Sequence, residues 1–555
     1  MKAVIVILLN QLGFYIHSPK IAIVAGEPSS AVFYIARVSG GDTVYSGTLG
    51  PAVASSNSSL RTYEADFTNF EKEGEYRVLV PGAENSYPFH IGRHTALPVV
   101  KAALKGYYYQ RSGMALDERY AGLWHRPAGH PDTSVLVHAS AISAGRPEGT
   151  VVAVPGGWYD AGDYNKYIVN SGITMGTLLS GYEDFSRLYD TLHTNIPPIR
   201  GVPDILNECL YNLRWMQTMQ DPGDGGVYHK CTNAAFDSMV MPGVTKLPRF
   251  VVQKGTAATL DFAAVMAQAS RVFRKFSRQL PGLADSCLRA AQAAWGWAVL
   301  HPAVVYNQMV MNRTFSPPVT TGAYGDIDLR DEWYWAAAEL SVTAGRKAFL
   351  DTVTARMKDP YGLPSWGTVH MLGDYTLLRH PGVLPAGEVK VLRERLLTMA
   401  DNYLKLAQSG AFHTVMGTGA RDFIWGSNSV AANQGVLLIN AFLLTRERKY
   451  VDGAAGNLDY LLGRNATGYC FITGMGSRSP MHPHHRPSVA DGIVPPVPGL
   501  LVGGPNPGRQ DRQVYTMTEP ETAYLDNDKA YASNEIAINW NAPLVYLAGA
   551  VEALH

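Results

Sequence analysis

At residues 94–98, HTALP, the hydrophobic pattern of this 555-residue chain changes character. Before it, short β-like runs (IAIVAG, AVFYIARV, DTVYSGTL, EYRVLVPG, YPFHIG) are separated by Gly, Ser, Pro and Asn turns, the texture of a small antiparallel sandwich. After it, long segments such as GITMGTLLSGYEDFSRLYD, ATLDFAAVMAQASRVFRKF and SVAANQGVLLINAFLLTRE carry apolar residues at i, i+3 and i+4 over three or more turns, which argues helix. The chain is also too long for one ordinary domain. We therefore expect an all-β immunoglobulin-like sandwich at 1–93 and an all-α domain at 97–555 with at least ten helices. No strand–helix alternation suggests a parallel sheet. The polar motifs fall almost entirely in glycine- and proline-rich pieces between the helices, so function is expected in the loops. Long polar loops on one side of antiparallel helices suggest a closed double ring of helices with a cleft on that face; no fixed-period repeat favours an α-solenoid.

Lys plus Arg and Asp plus Glu both total 47, so there is no basic field for nucleic acid or an anionic membrane, and an uncharged partner suits the surface. Charged residues are only 17%, while Tyr alone supplies 30, material for stacking on sugars as well as for large cores. Cys209, Cys231, Cys287 and Cys470 match no metal or redox spacing and read as free, buried thiols. The apolar run Ala3 to Leu9 lacks a small-residue cleavage site and flows into NQLGF, so it reads as a first strand rather than a signal peptide. No other run approaches the ~20 apolar residues that span a bilayer.

Two segments carry acid–base chemistry. YLDNDKAYASNEIAINWNA, 524–542, sets Asp526 and Glu535 among aromatics and amides, a setting that raises a carboxyl pKa toward neutrality. GGWYDAGDYNKYIVNSG, 156–172, places Asp160 and Asp163 close together in a glycine-containing turn suited to an ionised base. An acid and a base, each beside aromatic surface, are the equipment of a glycosidase.

Together with TGMGSRSPMHPHHR, 473–486, these segments resemble, in order and spacing, the three hallmarks of the family 9 glycoside hydrolases, cellulases with an (α/α)6 barrel. The sandwich resembles the immunoglobulin-like domain of one branch of that family, so the resemblance covers essentially the whole chain. It implies Glu535 as the general acid, Asp163 as the base that deprotonates water, and Asp160 as its partner in holding that water. It also implies an inverting reaction, with acid and base carboxylates roughly 6.5 to 9.5 Å apart. The plainer readings are an acidic first residue of a helix EIAINWNAPLVYLAG for Glu535 and turn-capping for the two aspartates. Asp526 matches a second acidic signature position that orients its neighbours. His484 and Arg486 match a substrate-binding pair, and Trp425, Trp366 and His229 resemble residues of the cleft, with core packing the alternative for all three. The run His482, His484, His485 lacks the i, i+4 helical spacing of a metal pair.

Relatives with the sandwich hold a structural zinc through cysteines and histidines where this chain has Ser112 and Gly129, so zinc is expected to be absent, leaving His130 and His125 without thiolate partners. Asp331 and Glu332 match a family calcium position, but the carboxylate expected near Trp366 is replaced by Gly367 or Thr368. An acidic first helical turn explains the same pair equally well. No other cofactor is required. The resemblance implies a secreted endo-β-1,4-glucanase acting on a β-glucan polysaccharide or oligosaccharide, with no nucleic-acid or membrane partner. The alternatives are an exo-acting cellobiohydrolase, β-glucosidase or exo-β-glucosaminidase, and a non-catalytic glycan-binding protein, which retention of Asp160, Asp163 and Glu535 opposes.

Overall fold

The computed structural model describes residues 5–555. The chain forms two compact units, one of residues up to Ala103 with Arg395–His484 and Val494–His555, the other of Leu104–Glu394 with His485–Ile493.

The first unit opens with nine strands: β1 (Val6–Leu8), β2 (Gly13–Tyr15), β3 (Ile21–Ala25), β4 (Val32–Arg37), β5 (Thr43–Thr48), β6 (Val53–Ala54), β7 (Arg61–Asp66), β8 (Gly74–Leu79) and β9 (Phe89–Gly92). They make two sheets, β1-β3-β7-β6 and β2-β9-β8-β4-β5. One pairing departs from the antiparallel expectation, because β2 runs parallel to β9. Its cause lies in the first apolar run, where the Asn10 side chain accepts the amides of Leu12 and Gly13 and turns the strand from one sheet into the other. The space between the sheets is filled by Phe14, Phe33, Phe67, Tyr76 and Phe89, with Phe14 edge-on to Phe67 and Phe89 at 5.4 and 5.5 Å. The run IAIVA shows no apolar–polar alternation because both of its faces are buried: Ala22 and Val24 lie in the sandwich core, and Ile23 and Ala25 pack on Ala411 and Phe412. Helices Ser427–Thr445, Arg448–Leu461 and Ile538–Leu554 pack on one another in the same unit.

The second unit is built around helix Thr256–Phe273, in which every residue but Arg271 is buried. Its run of Ala, Thr and Ser lets helices Ile168–Tyr189, Leu283–Leu300 and Arg330–Ala344 pack closely against it. Helices Gln308–Thr314, Lys347–Arg356 and His370–Arg379 were not anticipated from the periodicity; nine residues of His370–Arg379 are buried, so no polar face marks it. A small sheet was also unexpected. Strands Val151–Val152, Val135–Val137, Arg249–Val251, Lys230–Asn233 and Lys166–Tyr167 lie side by side in that order, each too short to give a periodic signal. The four cysteines are buried and unpaired, as their spacing suggested. Among the described residues no helix is long and apolar enough to cross a membrane.

Candidate active site

The turn that carries Asp160 and Asp163 ends on the edge strand of the small sheet. Gly157 opens it at φ +78, and a Cβ there would stand 2.6 Å from the Trp215 ring, so only glycine fits. Gln110 holds both sides of the turn, taking the Tyr159 amide on its carbonyl at 2.8 Å and donating its side-chain amide to the Ala161 carbonyl at 2.9 Å. Both aspartates are buried, at 1% and 5% exposure. Their hydrogen bonds distinguish them. Asp160 accepts on both oxygens, from Asn170 Nδ2 and the Tyr324 hydroxyl, each at 2.8 Å. Asp163 accepts only on Oδ2, from Asn165 Nδ2 at 2.5 Å, the Asn165 amide at 3.3 Å and the Tyr167 hydroxyl at 3.2 Å. Its Oδ1 is thus the oxygen left to meet a water. Burial, and then the charge of Asp163, push Asp160 up to about 8, so the pair carries one negative charge at neutrality.

In the first unit, Glu535 lies half-buried in extended backbone at φ −73, ψ 156, between helices Tyr531–Asn534 and Ile538–Leu554. The plainer reading of Glu535 as a first-turn residue therefore does not describe it. Its backbone runs beside His484, and its carbonyl takes the Gly503 amide at 2.8 Å. The nearby aromatics are engaged elsewhere: the Tyr524 hydroxyl donates to Asn534 Oδ1 at 2.6 Å, and the Tyr531 hydroxyl donates to the Gln510 carbonyl at 3.0 Å. Asp526 is a clamp, accepting the amides of Met481 and His482, both at 2.8 Å, and Asn534 Nδ2 at 3.1 Å. One carboxylate thus fixes the histidine loop to the segment that carries Glu535.

Residues 98–548 match the sequence pattern of Glycosyl hydrolase family 9, and residues 3–85 match that of the Cellulase N-terminal ig-like domain. The chain belongs to glycoside hydrolase family 9. It is 45% identical over 552 residues to the xyloglucan-specific endo-β-1,4-glucanase BoGH9A of Bacteroides ovatus, covering 98% of this chain and 93% of that protein. It is 34% identical to endoglucanase D of Acetivibrio thermocellus, covering 98% and 83%. Among solved structures, a Bacteroides ovatus family 9 protein superposes with TM-score 0.94 at 43% identity, covering 99% of both chains. The protein is a glycoside hydrolase with the family 9 architecture, an immunoglobulin-like domain followed by an (α/α)6 barrel.

Within this family 9 enzyme the remaining residues divide into exposed platforms and buried supports. Trp425 is 41% exposed and lies 5.4 Å from the Tyr531 ring, at 38°. Tyr531 also meets the His484 ring at 5.8 Å, and His484 Nδ1 donates to the Asp528 carbonyl at 2.6 Å, which fixes its orientation. In the second unit, Trp366 packs edge-on against Tyr324 at 5.4 Å, beside the ring that serves Asp160. Arg486 is buried, and its Nη1 and Nε donate to the carbonyls of Gly162 and Asp237 at 2.8 and 2.9 Å. It braces the residue before Asp163. His229 is also support rather than surface, 1% exposed, stacked on Tyr306 at 3.9 Å and bonded through Nε2 to the Ala323 carbonyl at 2.7 Å. Burial lowers its pKa to about 3 and keeps it neutral. Sequence reasoning did not single out Asn165, Tyr167 or Asn170, which stand 2 to 10 positions from the aspartates they serve, or Tyr324, which reaches Asp160 from 164 positions away.

Asp331 and Glu332 begin helix Arg330–Ala344 and are buried beside Asp261 and Asp326. Both oxygens of Asp261 and of Glu332, and Oδ2 of Asp326, have no hydrogen-bond donor, while Asp331 accepts the Val369 amide at 2.7 Å. Burial raises all four carboxyls, Asp326 to about 6, and repulsion within the group adds to it for Asp261, Asp326 and Glu332. A Cβ on Gly367 would stand 3.2 Å from Asp326 Oδ2, so the carboxylate missing at 367 has this neighbour. Donor-free buried carboxylates are the hard oxygen set that calcium takes, and the chemistry fits; as placed, no three His, Cys, Asp or Glu among the described residues converge to ligate one ion. At Ser112, read from the sequence as lacking a zinc thiolate, the hydroxyl donates to the His130 carbonyl at 3.2 Å, and His130 Nδ1 pairs with the Tyr159 hydroxyl at 2.9 Å.

Proposed function

We propose that this protein is a secreted, inverting endo-β-1,4-glucanase in which Glu535 protonates the glycosidic oxygen and Asp163 deprotonates the attacking water. The observation that carries the reading is the asymmetry of the aspartate pair. Asp160, bonded on both oxygens, is held in place, while Asp163 keeps Oδ1 available for a proton. Trp425 and Tyr531 offer stacking surface for glucosyl rings, His484 a polar edge for their hydroxyls, and Trp366 stands on the aspartate side. A branched, xyloglucan-type backbone is the favoured substrate, supported by the 45% identity to a xyloglucan-specific enzyme. Zinc has no thiolate ligands here and is not part of the enzyme. Calcium, where bound, neutralises the charge of Asp261, Asp326, Asp331 and Glu332 and steadies the second unit without entering the reaction.

The test is digestion of xyloglucan and carboxymethyl cellulose, with viscosity and early-time NMR of the products. A rapid fall in viscosity and α-configured first products are expected. Slow viscosity loss would mean exo attack, and β-configured products a retaining mechanism that removes the base assignment. Glu535→Gln keeps the fold and loses ~10² to 10⁴ in rate on unactivated glucan, less on substrates with good leaving groups.

A further inference from the structure

Lys230 is fully buried, at 0% exposure, on strand Lys230–Asn233, and its ammonium feels the charge of Asp163. Its three ammonium hydrogens are used on neutral oxygens: Gln308 Oε1 at 2.7 Å, Thr321 Oγ1 at 3.0 Å and the Gly322 carbonyl at 2.7 Å. The rings of Tyr167 and Tyr306 flank it, 5.5 and 5.6 Å from the charge. No carboxylate stands within ion-pair distance among the described residues, so the cation lacks the partner that normally accompanies one in a protein interior.

What Lys230 holds leads to both aspartates. Thr321 Oγ1 meets Thr232 Oγ1 at 2.7 Å, Thr232 Oγ1 meets Asn165 Oδ1 at 3.0 Å, and Asn165 donates to Asp163. With the single Thr232 hydroxyl hydrogen shared between Asn165 Oδ1 and the Asn233 carbonyl at 2.7 Å, these groups form a connected polar network from the ammonium to the base. The Gly322 carbonyl fixes the other route. Gly322 and Ala323, held by Lys230 and His229, lead into Tyr324 at φ 45, whose hydroxyl serves Asp160. Tyr167, one of the two flanking rings, donates its own hydroxyl to Asp163.

We propose that Lys230 is the positioning residue of the aspartate pair, its buried charge balancing the single negative charge of Asp160 and Asp163 while its hydrogen bonds set the donors of both. The inference rests on the proposed role of Asp163 as base. The electrostatics agree. Burial lowers Lys230 to about 7, and the charge of Asp163 is what works against that fall. The other titratable groups facing this cluster cannot supply the balance: His229 is neutral, and burial raises the phenols of Tyr167 and Tyr306.

Lys230→Met keeps the length and removes the charge and the donors. Expected are a fall of kcat of about tenfold or more with KM little changed, and a move of the acid limb of the kcat/KM profile to higher pH by about one unit. A variant with wild-type kcat and an unmoved acid limb overturns the inference. Asp163→Asn offers a second measurement that does not require Lys230→Met to fold. By linkage, removing the aspartate charge must lower the lysine titration, read from the 15Nζ and 13Cε resonances of Lys230 by about one unit or more. An unmoved lysine overturns the inference. The two readings fail separately: an active Asp163→Asn removes the base assignment and this inference with it, whereas an inactive Asp163→Asn beside an unaffected Lys230→Met removes only the role of Lys230.

Discussion

Two groups of buried carboxylates in the second unit are furnished in opposite ways. Asp160 and Asp163 receive donors from Asn165, Asn170, Tyr167 and Tyr324 and have an ammonium close by. Asp261, Asp326, Asp331 and Glu332 have few donors and, among the described residues, no ion-pair partner. A buried carboxylate costs several kcal/mol unless something compensates it, so the two groups meet that cost differently. The first is compensated by the protein and can hold an ionised base in a fixed position. The second can lower its cost only by keeping protons or by taking up a cation.

The largest test of this contrast is Asp163→Asn, expected to lose about 10³ in kcat while its thermal midpoint stays within about two degrees of the parent. Substantial residual activity would make the furnished pair a structural device, no different in kind from the donor-free one. Calcium gives the next largest effect. Saturating calcium should raise Tm, by ~2.7 kcal/mol of added stability at a hundredfold excess over Kd, and a chelator should reverse it. Asp261→Asn should abolish the response. If calcium has no effect and Asp261→Asn raises Tm, protons alone keep the cluster neutral.

The smallest effect is on pH. Asp326 and Asp160 have folded pKa values raised to about 6 and about 8, above an unfolded value of ~3.9. A raised carboxyl contributes stability that is fully present below the unfolded value and is lost as pH rises through the folded one. These two carboxyls therefore contribute a decline in stability as pH rises from 4, and calcium should flatten the Asp326 part of it. Asp160→Asn should flatten the upper part, lying a few degrees above wild type at pH 8 and level with it at pH 4. A Tm difference between calcium-loaded and chelated protein that does not grow from pH 4 to pH 7, or between Asp160→Asn and wild type that does not grow toward pH 8, would contradict the assigned directions.

The long helices were legible because each has an outward face, which leaves a 3.6-residue period in the sequence. Helix His370–Arg379 was not, since burial on nearly every side removes the polar residues that would mark it. The small sheet was hidden by the brevity of its strands, Lys166–Tyr167 having only 2 residues. Within the site, Asp160, Asp163 and Glu535 stood out because their own segments are distinctive. Tyr324, Lys230 and Asp261 did not, because their significance lies in contacts between residues 30 or more positions apart, which no local pattern records. The same limit applies to the contacts of Arg486 and His229 with backbone carbonyls and rings, which no local pattern records either.

Gly129 limits what its loop could be engineered to hold. A Cβ there would stand 2.6 Å from the Pro242 carbonyl carbon and 2.8 Å from its oxygen, which are main-chain atoms that no rotamer change can move aside. A thiolate therefore cannot be installed by substituting cysteine at 112 and 129 alone, because the backbone at Pro242 occupies the space. That backbone must be opened before metal ligands can be placed here. An engineer would have to follow the same order, redesigning the segment around Pro242 first and introducing the ligands second.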